Sequence, residues 1–153
     1  MRRRDFIKIG GAAAAVCACG TLGSCSAITG TSSTPTAEAG SYTYEGGKLR
    51  LELAKNKPLE KAGGAVKLSF EADGKGHKMI IARDDADSYL AFEDKCTHGG
   101  RELEYQHDKN RFECVSFGGS KFSKVGSVLA GPADKPLTKY TVTTEDDYIL
   151  VSV

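Results

Sequence analysis

The chain has 153 residues, of which 40% are hydrophobic, and this is enough material for one domain with its own core. Its 18 glycines and its lack of tryptophan give a turn-rich composition that favours β-structure. The formal net charge is +1, and no basic patch with interleaved aromatic residues is present, which argues against a nucleic-acid partner.

The N-terminus has the layout of an export signal. Three arginines, Arg2 to Arg4, precede an uncharged apolar stretch from Ile9 to Ile28. The sequence RRDFIK resembles a twin-arginine export signal, in which two arginines precede a phenylalanine. An ordinary basic flank for general secretion is the alternative interpretation.

A second targeting feature follows at residues 22–25. The sequence LGSC resembles a bacterial lipobox, which implies that residues 1–24 are removed and that Cys25 carries a diacylglycerol. Lipid chains would then tie the protein to a membrane by burying methylene groups. The alternative is an uncleaved anchor, because the apolar stretch is just long enough to cross a bilayer. Both interpretations place the domain outside the cytoplasm and attached to a membrane.

Residues 25–41 separate this signal from the predicted domain. Their sequence is small, polar and without periodicity, as in TGTSSTPTAEAGS at 29–41, and this composition predicts a flexible tether. The folded domain is therefore assigned to residues 42–153.

Short β-prone stretches separated by turn signals fill the predicted domain. KLRLEL at 48–53 alternates between apolar and polar residues, as a half-buried strand does. The Asp-Gly of EADGKG predicts a hairpin between AVKLSF and HKMIIAR, and EDD predicts another between KYTVTT and YILVSV. SYLAFED, RFECVSF and SVLA are further strands, whereas RELEYQHD at 101–108 is predicted to be a helical turn or a loop. About nine short strands favour an all-β antiparallel sandwich or barrel.

Acidic residues cluster after the HKMIIAR strand, at Asp84, Asp85 and Asp87. They lack the glycine and the distant glutamate of a calcium loop. We therefore expect these three residues to form a solvated hairpin tip.

The cysteines and histidines between residues 96 and 114 suggest a soft-metal site. Cys96 and His98 come from one short loop within CTHGG, and Cys114 begins a second. Thiolate and imidazole ligands together favour zinc or iron, but the spacing differs from that of usual zinc sites. A disulfide between Cys96 and Cys114 is the alternative.

This pattern resembles the Rieske family, whose loops read C-x-H and C-x-x-H and hold a [2Fe–2S] cluster through two thiolates and two imidazoles. Cys96, His98 and Cys114 occupy matching positions, and GGSKF and VGSVLAGPADKPLTKYTV are similar to the segments that follow in the family. The resemblance implies an antiparallel Rieske-like sandwich or barrel with a small loop subdomain for the cluster. It also implies that Ser120 donates a hydrogen bond to a bridging sulfur.

The sequence departs from the family pattern in two respects. Arg101 and Ser116 stand where members of respiratory cytochrome bc-type complexes have disulfide-forming cysteines, so the domain resembles the disulfide-free members. The second histidine is absent. Phe117 stands at its position when counted from Cys114, and Gly118 stands there when counted back from the following aromatic residue.

Three interpretations of the site remain open. In the first, the two cysteines and His98 hold a cluster whose fourth ligand is Ser116, His107, water or a group from a partner. In the second, the fold persists without a cluster, the thiols are free or disulfide-bonded, and Phe117 fills the space of the missing imidazole. In the third, one zinc or iron ion lies among the cysteines, His98 and His107.

The resemblance implies a Rieske-type iron–sulfur protein that carries one electron at a time on the outer side of the cytoplasmic membrane. Its redox partner would be a cytochrome or a quinone-linked complex. The chain has no room for the mononuclear iron domain of a Rieske oxygenase, so a redox subunit is expected rather than a self-sufficient enzyme. The alternative is a cluster-free binding module with the same fold. No catalytic residue is predicted.

Overall fold

The computed structural model describes residues 32–85 and 87–153. The predicted signal segment 1–24 and the lipidation candidate Cys25 lie outside the described residues. Two short 3₁₀ helices cover Lys57–Glu60 and His107–Lys109, and no helix in the described ranges is long and apolar enough to cross a bilayer. The strands are β1 (Tyr42–Glu45), β2 (Lys48–Glu52), β3 (Ala65–Ala72), β4 (Lys75–Arg83), β5 (Tyr89–Glu93), β6 (Leu103–Gln106), β7 (Arg111–Cys114), β8 (Lys121–Ser123), β9 (Val128–Ala130), β10 (Lys139–Thr144) and β11 (Tyr148–Ser152).

These strands form two antiparallel sheets. Seven strands build a sheet in the order β1-β2-β11-β10-β5-β4-β3, and the other four build a smaller sheet in the order β6-β7-β8-β9. The larger sheet curls so that its edge strands meet, because the ring centres of Tyr44 and Phe70 lie 5.0 Å apart. The Tyr42 hydroxyl also donates to the Ser69 carbonyl at 2.9 Å. The predicted all-β antiparallel architecture, barrel-like with a smaller unit, is confirmed.

Strand β4 separates two apolar cores. Successive side chains of a strand point to opposite faces of its sheet. Met79 and Ile81 therefore enter the core inside the curled sheet, whereas Ile80 and Ala82 face the smaller sheet. Because this strand is buried on both faces, it forms part of the wall between the barrel and the smaller unit.

The second core lies between the curled sheet and the smaller sheet. Phe92 of β5 meets Phe112 of β7 edge-on, with ring centres 4.9 Å apart. Cys96 and Cys114 belong to the same core. The candidate thiols are thus packed into apolar surroundings and not left on open loops.

Two predicted hairpins are confirmed and one segment differs. Asp73 and Gly74 both have positive φ, 50° and 71°, in the turn between β3 and β4. The Glu145 N–H donates to the Tyr148 carbonyl at 2.9 Å where β10 turns into β11. Within 101–108, however, β6 replaces the predicted helical turn or loop, because its alternate residues are buried against the second core.

Asp84 is buried, which corrects its predicted place in a solvated hairpin tip, while Asp85 and Asp87 are exposed. Its carboxylate accepts hydrogen bonds from the Tyr105 hydroxyl at 2.9 Å and from Lys124 Nζ at 2.8 Å. Burial opposes its ionisation, but these two hydrogen bonds hold the pKa of Asp84 below its usual range. Since Asp84 follows β4 and its partners belong to the smaller unit, this network joins the two sheets.

Replacing Tyr105 by phenylalanine removes the hydroxyl that donates to the buried Asp84 carboxylate. We expect the free energy of unfolding to fall by about 1–3 kcal/mol, because a buried acceptor loses a partner. Urea denaturation measures this. Tyr42→Phe is the control, since the Tyr42 hydroxyl bonds to the Ser69 carbonyl at an exposed position where water replaces it. Equal losses in both variants would contradict a stabilising role for the buried network.

Candidate metal centre

The first candidate loop leaves β5 and returns as β6. The Cys96 N–H donates to the Arg101 carbonyl at 2.7 Å, and the Gly100 N–H donates to the Cys96 carbonyl at 2.8 Å. These two bonds fold residues 96–101 into a tight loop. Its cysteine is buried, whereas His98 is exposed.

The second candidate loop begins at Cys114, the last residue of β7. The Cys114 N–H donates to the Ser120 carbonyl at 2.9 Å, which closes residues 115–119 into a turn. Gly119 permits this closure, because a β-carbon there would lie 2.3 Å from the Cys114 carbonyl oxygen and 2.7 Å from that of Ser116. Cys114 itself is buried.

The two loops adjoin each other. The Val115 N–H, one residue after Cys114, donates to the Glu102 carbonyl of the first loop at 3.1 Å. Cys96 and Cys114 are both buried in the second core, and both are free thiols. The fold therefore brings two sulfur donors together from separate parts of the sequence.

A third segment, residues 131–137, covers both loops. The Ala133 N–H donates to Ser120 Oγ at 3.0 Å, and Thr97 Oγ1 donates to the Lys135 carbonyl at 2.7 Å. Ser120 is buried, and because its oxygen accepts this bond, its hydroxyl proton is available to another acceptor. Gly131 allows the close approach, since a β-carbon there would lie 2.6 Å from Ser120 Cα.

The candidates for a fourth ligand are placed differently. Ser116 Oγ lies 3.1 Å from Cys114 Sγ, which is a hydrogen-bond contact with the thiol. His107 follows β6 at the far end of the β6–β7 hairpin, about 14 Å from the Cys114 end at the usual rise per strand residue. Its Nδ1 is 3.2 Å from the Tyr105 hydroxyl. Its Cβ packs against Gly63, since a β-carbon added to that glycine would lie 2.9 Å from it. His107 is therefore not brought to the cysteine loops.

Phe117 does not fill the space of a missing imidazole, because its side chain is fully exposed. Gly118 has a φ of 64°, and a β-carbon there would meet nothing within 4 Å. Across the described ranges, no three His, Cys, Asp or Glu side chains converge to hold one metal ion. A two-iron cluster divides its ligands between two metals, so it does not need three such side chains at one ion.

A buried carboxylate that the sequence did not single out holds the base of the first loop. Asp94 Oδ1 accepts the Leu103 N–H at 2.7 Å, while Lys67 Nζ lies 3.1 Å from Asp94 Oδ2 and 3.1 Å from Glu102 Oε2. Burial raises the pKa of Asp94, and the hydrogen bond from Lys67 lowers the pKa of Glu102. The one feature of the sequence that could have pointed to Asp94 is its position, two residues before Cys96.

The family profile described as "Rieske [2Fe-2S] domain" matches residues 53–141, which is more than half of the chain. The match includes both candidate loops and the strands that carry them. The protein therefore belongs to the Rieske family.

The curated relatives are subunits of one kind of complex. Cytochrome b6-f complex iron-sulfur subunit 2 of Nostoc sp. (strain PCC 7120 / SAG 25.82 / UTEX 2576) is 30% identical over 94 residues, or 61% of this chain and 52% of that protein. Cytochrome b6-f complex iron-sulfur subunit 1 of Synechocystis sp. (strain ATCC 27184 / PCC 6803 / Kazusa) is 31% identical over the same shares. The chain spans about half the length of the curated relatives it matches.

Two solved structures are also similar. The cyanobacterial plasma membrane Rieske protein PetC3 from Synechocystis PCC 6803 has a TM-score of 0.44 and 24% identity, covering 57% of this chain and 86% of that one. The ferredoxin of carbazole 1,9a-dioxygenase from Nocardioides aromaticivorans IC177 has a TM-score of 0.49 and 26% identity, covering 62% and 91%.

Replacing Gly119 by alanine tests the closed turn after Cys114. We expect the free energy of unfolding to fall by more than about 2 kcal/mol, because two carbonyl oxygens obstruct the new methyl group. Gly99→Ala is the matched control, since a β-carbon at that exposed glycine meets nothing within 4 Å. It should change stability by less than about 0.5 kcal/mol in the same urea titration. Equal stability of the two variants would show that the turn is not closed as described.

Proposed function

We propose that this protein is a one-electron carrier that binds a [2Fe–2S] cluster through Cys96, Cys114 and His98. The observation that carries the proposal is the pair of buried free thiols on adjoining loops, joined by the Val115 to Glu102 hydrogen bond. Membership of the Rieske family supports iron and sulfide as the occupant, because Rieske centres place two thiolates on one iron.

The described residues supply both sulfur ligands of such a cluster but only part of its imidazole ligands. His98 supplies one exposed imidazole, and no histidine lies between residues 108 and 122. Ser116 is hydrogen-bonded to the Cys114 sulfur, so we assign it to the thiolate side and not to the iron of His98. We propose that an oxygen or nitrogen donor from outside the chain, supplied by solvent or a partner, completes the ligand set.

The surrounding residues have separate roles in this proposal. The second core keeps water from both cysteines. With a cluster bound, Ser116 would donate to the Cys114 thiolate and the buried Ser120 would donate its free proton to cluster sulfur. Hydrogen bonds to sulfur stabilise the added negative charge and so help to set the potential. His98 remains exposed, where a docked partner can approach it. When bound, the cluster supplies the one-electron chemistry.

We place the protein on the outer side of the cytoplasmic membrane, attached through its N-terminal segment. The arginines at Arg3 and Arg4 and the lipidation candidate Cys25 support this location. The curated relatives are subunits of cytochrome b6-f complexes. We infer that the redox partner is a cytochrome or a quinone-linked membrane complex, and that this chain is a redox subunit and not a self-sufficient enzyme.

One observation favours a second candidate function. Phe117 is fully exposed at the tip of the second loop, where a cluster-binding family member would present a ligand. An exposed aromatic side chain is a good contact for a protein partner. The second candidate is therefore a cluster-free binding module of the same fold, in which Phe117 contacts that partner.

Metal analysis distinguishes the two candidates. Full-length protein purified anaerobically should absorb visible light and contain about two iron atoms and two acid-labile sulfides per chain. Cys114→Ser should lose most of both, because one thiolate is gone. Cys19→Ser, in the predicted signal segment, is the matched cysteine control when the unprocessed full-length chain is purified, and it should lose neither. Colourless wild-type protein without iron or sulfide would contradict the carrier function and support the binding module.

Replacing Phe117 by histidine tests the incomplete ligand set. The side chain is exposed, so the change removes no packing and adds an imidazole to the second loop. We expect iron to be lost to a chelator about tenfold more slowly, because a protein ligand is tethered and a solvent ligand is not. Phe117→Ala is the control for loss of the aromatic ring. Gly118→His covers the other alignment, since histidine tolerates left-handed backbone better than most residues.

The two histidine variants together test whether the vacant ligand position lies beside the second loop. If both lose iron as fast as Phe117→Ala, the vacant ligand position is not beside the second loop, and the proposed ligand set is wrong.

A further inference from the structure

Residues 32–37, which we call the N-terminal strap, lie along the edge of the larger sheet. Thr36 pairs in parallel with Lys67 of β3, which is the edge strand. The Lys67 N–H donates to the Pro35 carbonyl at 2.8 Å, and the Ala37 N–H donates to the Lys67 carbonyl at 2.7 Å. Both backbone groups of Lys67 are therefore held by the strap.

The strap also reaches the smaller sheet. Ser32 Oγ donates to the Leu103 carbonyl at 3.4 Å, and Leu103 is the first residue of β6. Ser33 contacts the Glu104 carboxylate through its N–H at 3.3 Å and through its hydroxyl. The strap, which is the described start of the predicted tether, thus contacts β3 of the larger sheet and β6 of the smaller sheet. Strand β6 is the strand that follows the Cys96 loop.

The Lys67 side chain continues this connection into the interior. It is mostly buried, and its Nζ bridges the Asp94 and Glu102 carboxylates at 3.1 Å each. The Asp94 carboxylate in turn accepts the Leu103 N–H and so closes the loop of residues 95–102 at its base. The Glu102 carbonyl accepts a hydrogen bond from the N–H of Val115, the residue after Cys114. One residue therefore has its backbone held by the strap and its side chain bonded to the two ends of the Cys96 loop, Asp94 and Glu102.

We propose that Lys67 is a positioning residue that couples the N-terminal strap to the loop bearing Cys96 and His98. A buried carboxylate that loses its cation is strongly destabilised, so Lys67 stabilises the Asp94 charge that closes the loop. Strap pairing fixes the edge strand that carries Lys67. Release of the strap therefore opens the Cys96 loop. This inference goes beyond electron transfer, because it concerns access to the thiols whether or not iron is bound.

Thiol labelling of the full chain tests the side-chain half of this coupling. Each cysteine is followed separately by mass spectrometry after alkylation under native conditions. Lys67→Met should speed labelling of Cys96 about a hundredfold, because the buried Asp94 charge is left uncompensated. Lys78→Met is the matched control, since Lys78 also bonds Glu102, at 3.3 Å, but is mostly exposed. It should change the rate less than about threefold, as expected for a surface ion pair. Lys67→Arg, which keeps the charge, should restore slow labelling.

Proline substitutions test the strap half. Ala37→Pro removes the N–H that donates to the Lys67 carbonyl and should speed Cys96 labelling about tenfold. Ala39→Pro is the matched control. It lies outside the strap, in a turn closed by the Ser41 N–H to Glu38 carbonyl bond, and the following Gly40 has a φ of 73°, a turn in which proline is favoured.

Selectivity separates loop opening from general unfolding. The proposal requires Cys96 to gain more reactivity than Cys114 in Lys67→Met and Ala37→Pro. Equal gains at both cysteines, no rescue by Lys67→Arg, or equal effects of the two prolines would overturn it. Wild type and variants are all labelled after iron has been removed with a chelator, so a protein without iron would fail the carrier function but leave this comparison intact.

Discussion

The buried carboxylate of Asp94 is the interaction on which the geometry of the thiol site depends. It sits just after β5, and its bond to the Leu103 N–H at 2.7 Å fixes where the chain re-enters as β6. Everything between, including Cys96 and His98, is confined by that closure. Glu102 immediately precedes Leu103 and accepts the Val115 N–H, so the end of this loop adjoins the second loop, which has its own closure through the Cys114 N–H and the Ser120 carbonyl. A buried charge is tolerated only with a partner, and Lys67 supplies it.

Two buried carboxylates hold the smaller sheet against the barrel. Asp94 binds the first backbone N–H of β6, and Asp84 binds the side chain of Tyr105 two residues farther along. Both acids come from the larger sheet, one after β4 and one after β5. Between them lies the apolar contact of Phe92 with Phe112. The second core therefore combines non-directional apolar packing with two directional hydrogen bonds, which fix how β6 is placed against the larger sheet.

Much of the fold could be predicted from local patterns. KLRLEL and AVKLSF alternate as strands do, and Asp73–Gly74 forms the turn that its sequence indicates. Strand β6 was missed because its polar residues resemble a loop, and only packing against distant strands buries its alternate positions. The burial of Asp84 was missed for the same reason. Its partners Tyr105 and Lys124 are 21 and 40 positions away in the sequence, so a pattern of neighbouring residues cannot indicate them.

The candidate site was predictable to a similar extent. The C-x-H motif and Cys114 pointed to two loops, and the structure brings their thiols into one core. The direction of a loop side chain is not predictable from sequence: one of the three interpretations placed Phe117 in the space of the missing imidazole, whereas its side chain faces solvent. The Lys67–Asp94 pair could not be found either, because its members are 27 positions apart in the sequence.

The function proposed above depends on iron held by two thiols and one imidazole of this chain. Anomalous scattering at the iron absorption edge, from crystals grown without oxygen, tests it most directly. We expect two adjacent iron peaks, one bonded to the sulfurs of Cys96 and Cys114 and the other to the ring of His98. A map without iron at these loops, or one in which the two cysteines form a disulfide, would contradict it.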